Sequence, residues 1–301
     1  MADAAFEPPR RLVRALREAA DPAASEPWLQ GLPAVLREAL EGHGVEAERI
    51  VEPGGRSSLV VLVRRPDGEP GALKLAPPCA APGQERAALA HWNGWGAVRL
   101  LEGPGGGLLL ERLQPEVSLR ALPAAKALLE AAGTVRKLWV EPPAGHGFPS
   151  VAERTDRQAG AMAAYRSDGV AGPLVAAALE AREELLAGAP EALLLHGCFR
   201  QGKVLAGERA PWLAVGPDPV VGERAYDLAR LVRDRVEDLV AADSGASAAR
   251  RRMRGLAESL DVDGERLRGW ALFRAVESAT RALAAGRRGD AELLLEFAGW
   301  L

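Results

Sequence analysis

The residues best suited to chemistry lie between Leu193 and Leu231, in LLLHGCFRQGKVLAGERAPWLAVGPDPVVGERAYDLARL. His196, Cys198, Lys203, Asp218 and Asp227 all fall inside this stretch. A thiolate is the reactive form of cysteine, and a nearby cation such as Lys203 would favour it. Cys198 as a nucleophile, with His196 as its neighbour, is therefore one candidate chemistry. A free cysteine also serves simply as a small apolar residue in a core. Metal chemistry of the zinc type is not indicated. Only Cys79 and Cys198 are present, and His43, His91, His146 and His196 show no ligand spacing.

Several elements must position these groups. An apolar run ends at His196-Gly197, and the apolar segments 203–206 and 212–215 follow it, with Gly207 turning the chain between them. That order predicts a hairpin. A helical pattern, AYDLARLVRDRVEDLV, then begins near Glu223 and reads to 242. Upstream, residues 10–20 and 33–41 have helical apolar spacing, with Pro33 suited to a first turn. From Ala47 the period changes, and segments 47–53, 57–65 and 70–76 read as strands broken by Gly54-Gly55 and Pro66-Asp67-Gly68. A helix at 84–92 precedes two further strands at 97–102 and 107–113. Beyond Pro115 the pattern is almost wholly helical, at 120–139, 157–166, 173–187, 247–260, 264–285 and 289–300.

Composition narrows the class. With 301 residues, 48% apolar and 26% charged, the chain has ample length for a core. A net charge of −3 gives no reason to expect nucleic acid or an anionic membrane as partner. No apolar run approaches the roughly 20 residues that span a bilayer, and the N-terminus lacks an apolar leader core, so the chain reads as cytoplasmic. Lysine occurs only at 74, 126, 137 and 203.

Loop, hairpin, loop and helix in this order resemble the catalytic segment of the aminoglycoside and hydroxyurea antibiotic resistance kinases, a branch of the kinase-like fold. Their pattern reads roughly H-G-D-L-H-x-G-N-V-L, then W-L-A-I-D-P, then G-D-P-A-Y-D-L-A. The run ERAALAHWNGWGAVRLLEGPGGGLLLERL resembles the same family, and the resemblance covers roughly residues 50 to 235. It implies an α+β, protein-kinase-like two-lobed fold: N-terminal helices over 1–46, a small sheet lobe over 47–113, and a larger helical lobe over 114–301.

The resemblance also assigns roles. Gly54, Gly55, Ser57 and Ser58 would cover the phosphates of ATP. Lys74 would reach the phosphates while held by Glu85, although a strand lysine is equally at home as a solvated residue. Residues Glu111 to Leu113 would face adenine through backbone groups. Asp227 would cap the catalytic-loop backbone, and Trp212, Gly222, Glu223 and Tyr226 match frame positions. The chemistry departs from the family. Cys198 stands where the catalytic Asp is expected, Lys203 where a metal-binding Asn is, and Gly216 where the second metal-binding Asp is. Magnesium wants oxygen ligands, which Lys203 and Gly216 do not offer. Asp218 lies about 6–7 Å further along if the strand continues, a substitute only after a register shift. Lys203 is either an ammonium in the metal's place or an exposed hairpin residue.

The leading expectation is therefore a pseudokinase of this family. It would bind ATP weakly and without magnesium, or a small molecule or peptide in the interlobe cleft, or a partner protein. The alternative is a working ATP-dependent phosphotransferase on an aminoglycoside or similar alcohol, in antibiotic resistance or secondary metabolism. Glu180, Glu183 and Glu184 would then meet a polycation, unless they are a solvated helix face. New chemistry at Cys198 is the third.

Overall fold

A computed structural model describes residues 7–19, 21–101, 103 and 105–301. In chain order the elements are α1 (Arg10–Arg17), α2 (Glu26–His43), β1 (Glu46–Ile50), β2 (Leu59–Arg64), β3 (Pro70–Leu75), α3 (Pro82–Trp92), β4 (Leu108–Glu111) and β5 (Gln114–Ser118). There follow α4 (Ala124–Val135), α5 (Val151–Ala163), α6 (Gly172–Ala187), β6 (Leu193–Leu195), β7 (Val204–Ala206), β8 (Trp212–Ala214) and β9 (Val220–Gly222). The chain ends with α7 (Arg224–Val232), α8 (Val236–Val240), α9 (Gly245–Leu260), α10 (Gly264–Ala284) and α11 (Arg288–Ala298). This is the α+β division that the sequence pattern predicts, a small sheet unit and a mainly helical one. Among the described residues no helix is long and apolar enough to cross a membrane.

The sheet unit comprises the described residues up to Val117 together with Leu205–Val215. Its antiparallel sheet runs β1-β2-β3-β4. A second sheet, β5-β7-β8, contains the hairpin that turns at Gly207. A Cβ at Gly207 would lie 2.9 Å from the end of the Leu113 side chain, so glycine leaves that side chain its place beside the turn. The N-terminal helices are not a separate layer. Leu12, Leu16, Leu29, Leu32 and Leu36 share one apolar cluster with Leu59, Val61, Val63, Leu73 and Leu75 of the strands. Burying such side chains contributes about 1.5–3 kcal/mol each, which is why α1 and α2 fold onto the sheet.

The helical unit comprises Ser118–Val204 and Gly216–Leu301. At its centre α10 packs against α5, α6, α7, α9 and α11. Trp270 and Phe273 of α10 are fully buried, and Trp270 meets Tyr226 edge-on at 5.1 Å. Local signals start two of the helices. Ser150 and Glu153 form a capping box on α5, and Asp263 accepts from the Glu265 and Arg266 amides at the start of α10.

Several boundaries differ from the sequence reading. Pro33 lies inside α2, not at its start: Pro27 occupies the first turn, and the helix continues through Pro33 because its Leu29, Leu32 and Leu36 face the core. The segment read as one helix over 223–242 is two, α7 and α8. Arg235 takes a left-handed conformation (φ 57°) between them, and its guanidinium is held by the Arg120 and Leu122 carbonyls. Residues 97–101 make only isolated bridges, at Ala97 and Leu100. Glu102 and Pro104, part of the predicted strand and glycine linker, lie outside the described residues, as does the end of the first predicted helix at Ala20. Strand pair β6–β9 lies between the predicted helices, where the sequence reading gives an apolar run ending at His196 and a hairpin but no pairing of these segments; each strand is only three residues long.

Candidate active site

The catalytic-type loop leaves β6 at His196 and is fastened from behind. Asp227, in the first turn of α7, is fully buried and accepts the His196 amide through Oδ2 (2.9 Å) and the Gly197 amide through Oδ1 (2.8 Å). Burial pushes its carboxyl above the ordinary range, against the pull of His196 and Arg274. Arg274 of α10 grips the same loop, donating to the Gly197 carbonyl (2.7 Å) and the Tyr226 carbonyl (2.9 Å). Gly197 itself has φ +75°, and a Cβ there would sit 1.8 Å from the Asp218 carbonyl oxygen. The loop path therefore demands glycine.

That frame presents Cys198, Lys203 and the backbone of Gly216 to one another. Lys203 Nζ lies 2.7 Å from Cys198 Sγ and 2.6 Å from the Gly216 carbonyl oxygen. Cys198 Sγ is 3.5 Å from the same carbonyl and 3.7 Å from His196 Nδ1. Burial opposes ionisation of this thiol, but the Lys203 ammonium and the His196 ring outweigh it and hold the Cys198 pKa well below its ordinary value. The result is a lysine–cysteine contact, closed by a backbone carbonyl, in which the Cys198 proton is lost more readily than from a free thiol. His196 is fully buried, with its ring edge-on to Phe199 at 5.5 Å.

The donor set does not fit magnesium. Lys203 supplies only N–H donors, and Gly216, at φ +60°, has no side chain to offer. Asp218 is engaged elsewhere: Arg154 of α5 forks onto it with contacts of 2.7 and 3.0 Å. No group of three or more His, Cys, Asp or Glu suited to a metal exists among the described residues.

The sheet unit carries the other candidate groups. Lys74 on β3 and Glu85 in the first turn of α3 form an ion pair, with Nζ 2.6 and 2.5 Å from the two carboxylate oxygens. Both side chains are largely buried, at 11% and 6% exposure. Gly54, Gly55, Ser57 and Ser58 lie in the connection from β1 to β2. Gly54 has φ +70°, Ser57 is exposed and Ser58 is buried. Glu111 accepts from the Arg99 amide (2.7 Å) and from Arg209 Nη2 (2.7 Å), and Leu113 is buried. Glu180, Glu183 and Glu184 are exposed on α6.

Of the frame positions, Glu223 is buried and accepts from Trp270 Nε1 and from Arg266, each at 2.6 Å. Gly222 lets Val151 approach to where a Cβ would be, 2.3 Å away. Sequence reasoning missed Arg154 and Arg274. In so arginine-rich a chain nothing local marks them out, since their partners lie 64 and 77 residues away.

Comparison with known proteins gives the family and the fold. The profile of the aminoglycoside/hydroxyurea antibiotic resistance kinases matches residues 43–286. A streptomycin 6-kinase of Streptomyces glaucescens is 32% identical over 262 residues, covering 84% of this chain and 83% of that protein. A hydroxyurea phosphotransferase of Kitasatospora aureofaciens is 36% identical over 265 residues, covering 85% and 74%. Among solved structures, a thermostable aminoglycoside phosphotransferase in ternary complex with ADP and hygromycin B superposes with a TM-score of 0.59 at 19% identity, covering 86% of this chain and 95% of that one. The fold is thus the kinase-like fold of those enzymes, and the chain belongs to the aminoglycoside/hydroxyurea antibiotic resistance kinase family.

Proposed function

We propose that this chain is a pseudokinase of its family, a ligand-binding protein that does not carry out magnesium-dependent phosphotransfer. One observation carries the reading: the Lys203 ammonium lies between Cys198 Sγ and the Gly216 carbonyl, at 2.7 and 2.6 Å. A phosphotransferase needs an anionic group to orient the acceptor hydroxyl and oxygen ligands to hold its metal. Here the anionic group is neutralised by its own lysine, and the ligand positions hold a cation and a glycine. General-base assistance is typically worth 10²–10⁴ in rate and electrostatic stabilisation often more, so the combined loss is several orders of magnitude. ATP binding, supported by the Lys74–Glu85 pair, is weak and indifferent to magnesium.

A second reading, a working phosphotransferase on an aminoglycoside or similar small molecule, is favoured by the intact Lys74–Glu85 pair and by the named activities of the relatives. Two measurements separate the readings. Thermal-shift titration of ATP with and without magnesium reports binding, and ATP consumption with streptomycin, other aminoglycosides and hydroxyurea reports transfer. The comparison variant is Cys198→Asp, Lys203→Asn, Gly216→Asp. The left-handed backbone at 216 costs an Asp about 1–2 kcal/mol, a strain that Asp tolerates better than most residues. Rapid magnesium-dependent turnover by the wild type overturns the pseudokinase reading. Magnesium-dependent ATP binding in the triple variant alone supports it.

A further inference from the structure

The helical unit holds a group of arginines that its own architecture does not use up. Arg200 follows the Cys198-Phe199 step, Arg230 lies in the last turn of α7, and Arg233 is the C-cap of that helix. Facing them on α10 are Arg274, Glu277 and Arg281. Two of the cations have evident structural work. Arg274 holds two loop carbonyls and lies 4.2 Å over the Tyr226 ring, and Arg281 sits 3.6 Å from Glu277.

The other three have donors to spare. Arg233 donates through Nη2 to Ser278 Oγ (2.8 Å), yet its Nε is buried without a partner. Arg200 Nε is likewise buried and unpartnered. The Arg230 side chain makes no hydrogen bond or ion pair among the described residues. The simplest structural explanation is that cations gather at the C-terminus of α7 to meet its free carbonyls. Arg252 of α9 already fills that role, donating to the Val232 (2.9 Å) and Asp234 (2.5 Å) carbonyls.

The carboxylates facing the group are also engaged. Asp227 holds the His196 and Gly197 amides, Asp234 accepts the Gln201 amide at 2.5 Å, and Glu277 serves Arg281 and Ser278. Burial and the neighbouring guanidinium groups push Arg230 down to about 10 and Arg233 well below its ordinary value. As whole residues Arg200, Arg230 and Arg233 are each only partly buried. Forked, partly desolvated N–H donors with surplus positive charge are the chemistry that recognises a tetrahedral or carboxylate oxyanion.

We propose that Arg200, Arg230 and Arg233 form an oxyanion-binding site on the helical unit, whose ligand carries a phosphate-like group. The oxyanion comes either from the nucleotide or from a separate anionic small molecule. The site does not depend on whether the chain transfers phosphate, because its readout is binding.

The probe is inorganic phosphate, titrated by calorimetry and by thermal shift at constant ionic strength, with sodium chloride as the reference salt. Wild type should bind phosphate and gain thermal stability beyond the chloride control. Arg230→Gln should weaken binding by about tenfold to a hundredfold, the value of one charge-assisted donor pair. Arg230→Lys should recover part of that loss, and because the Arg230 side chain makes no hydrogen bond both variants should fold. Arg200→Gln, on a different element, should weaken binding independently. Saturation with ADP then distinguishes the sources: loss of phosphate binding assigns the site to the nucleotide's phosphates, and retained binding assigns it to a separate anionic ligand. The proposal is overturned if wild type shows no phosphate response beyond chloride, or if Arg230→Gln and Arg200→Gln bind phosphate as wild type does.

Discussion

Replacing Lys203 by methionine removes the ammonium 2.7 Å from Cys198 Sγ and keeps the length of the side chain. At that distance and an effective dielectric of about 20, the pair attracts by about 6 kcal/mol. Desolvating the two ions costs several kcal/mol each, so the pair contributes little net stability. Without Lys203 the thiol holds its proton more firmly and packs as a small buried apolar residue. Unfolding free energy should therefore change by less than about 2 kcal/mol, while ionisation of Cys198 moves to higher pH than in the wild type.

The pH dependence follows from the sign of the shift. The folded-state pKa of Cys198 is depressed, so the native protein gives up this proton more readily than the unfolded chain. The stability contributed by the ionised thiol is complete above the unfolded thiol pKa of about 8.5 and is lost as pH falls through the folded value. Lys203→Met should flatten that component. The assay uses a Cys79→Ser background, so that Cys198 is the only thiol contributing to the signal. Thiolate ultraviolet absorbance is followed against pH, with urea unfolding at matched points. An unchanged thiolate titration in Lys203→Met would refute the argument that Lys203 ionises Cys198.

Three further outcomes follow from the frame. Asp227→Asn turns one acceptor into a donor facing the His196 or Gly197 amide, and should cost about 1–3 kcal/mol in urea unfolding; a loss inside measurement error would show that the loop is held by other means. Glu85→Gln leaves the largely buried Lys74 without its counter-charge and should cost up to about 3–5 kcal/mol, with Lys74→Met in the same chain restoring most of the loss in a double-mutant cycle. Gly197→Ala combines φ +75° with a Cβ 1.8 Å from a carbonyl oxygen, so its destabilisation should exceed about 4 kcal/mol and be visible as lost soluble expression.

Much of the architecture was legible in residue types and their spacing. The change of period near Ala47, the turn at Pro66-Asp67-Gly68 and the long apolar face of α10 each reflect forces that act over a few residues. So does the start of α10 after Asp263, whereas α5 begins at Val151, ahead of the helix read over 157–166. The identities of Cys198, Lys203 and Gly216 were equally plain, and with them the absence of oxygen ligands at two positions. Tertiary structure alone decided what those residues do. It closed Lys203 onto Cys198 and the Gly216 carbonyl, and gave Asp218 to Arg154 across 64 residues. It also broke the segment from 223 to 242 at Arg235, and left the buried Nε of Arg200 and of Arg233 without a partner. A local pattern records which groups a segment carries and which side it buries. The partner of a charged side chain is set by the path of the whole chain, because burial makes an unpaired charge costly and the nearest opposite charge in space is often distant in sequence.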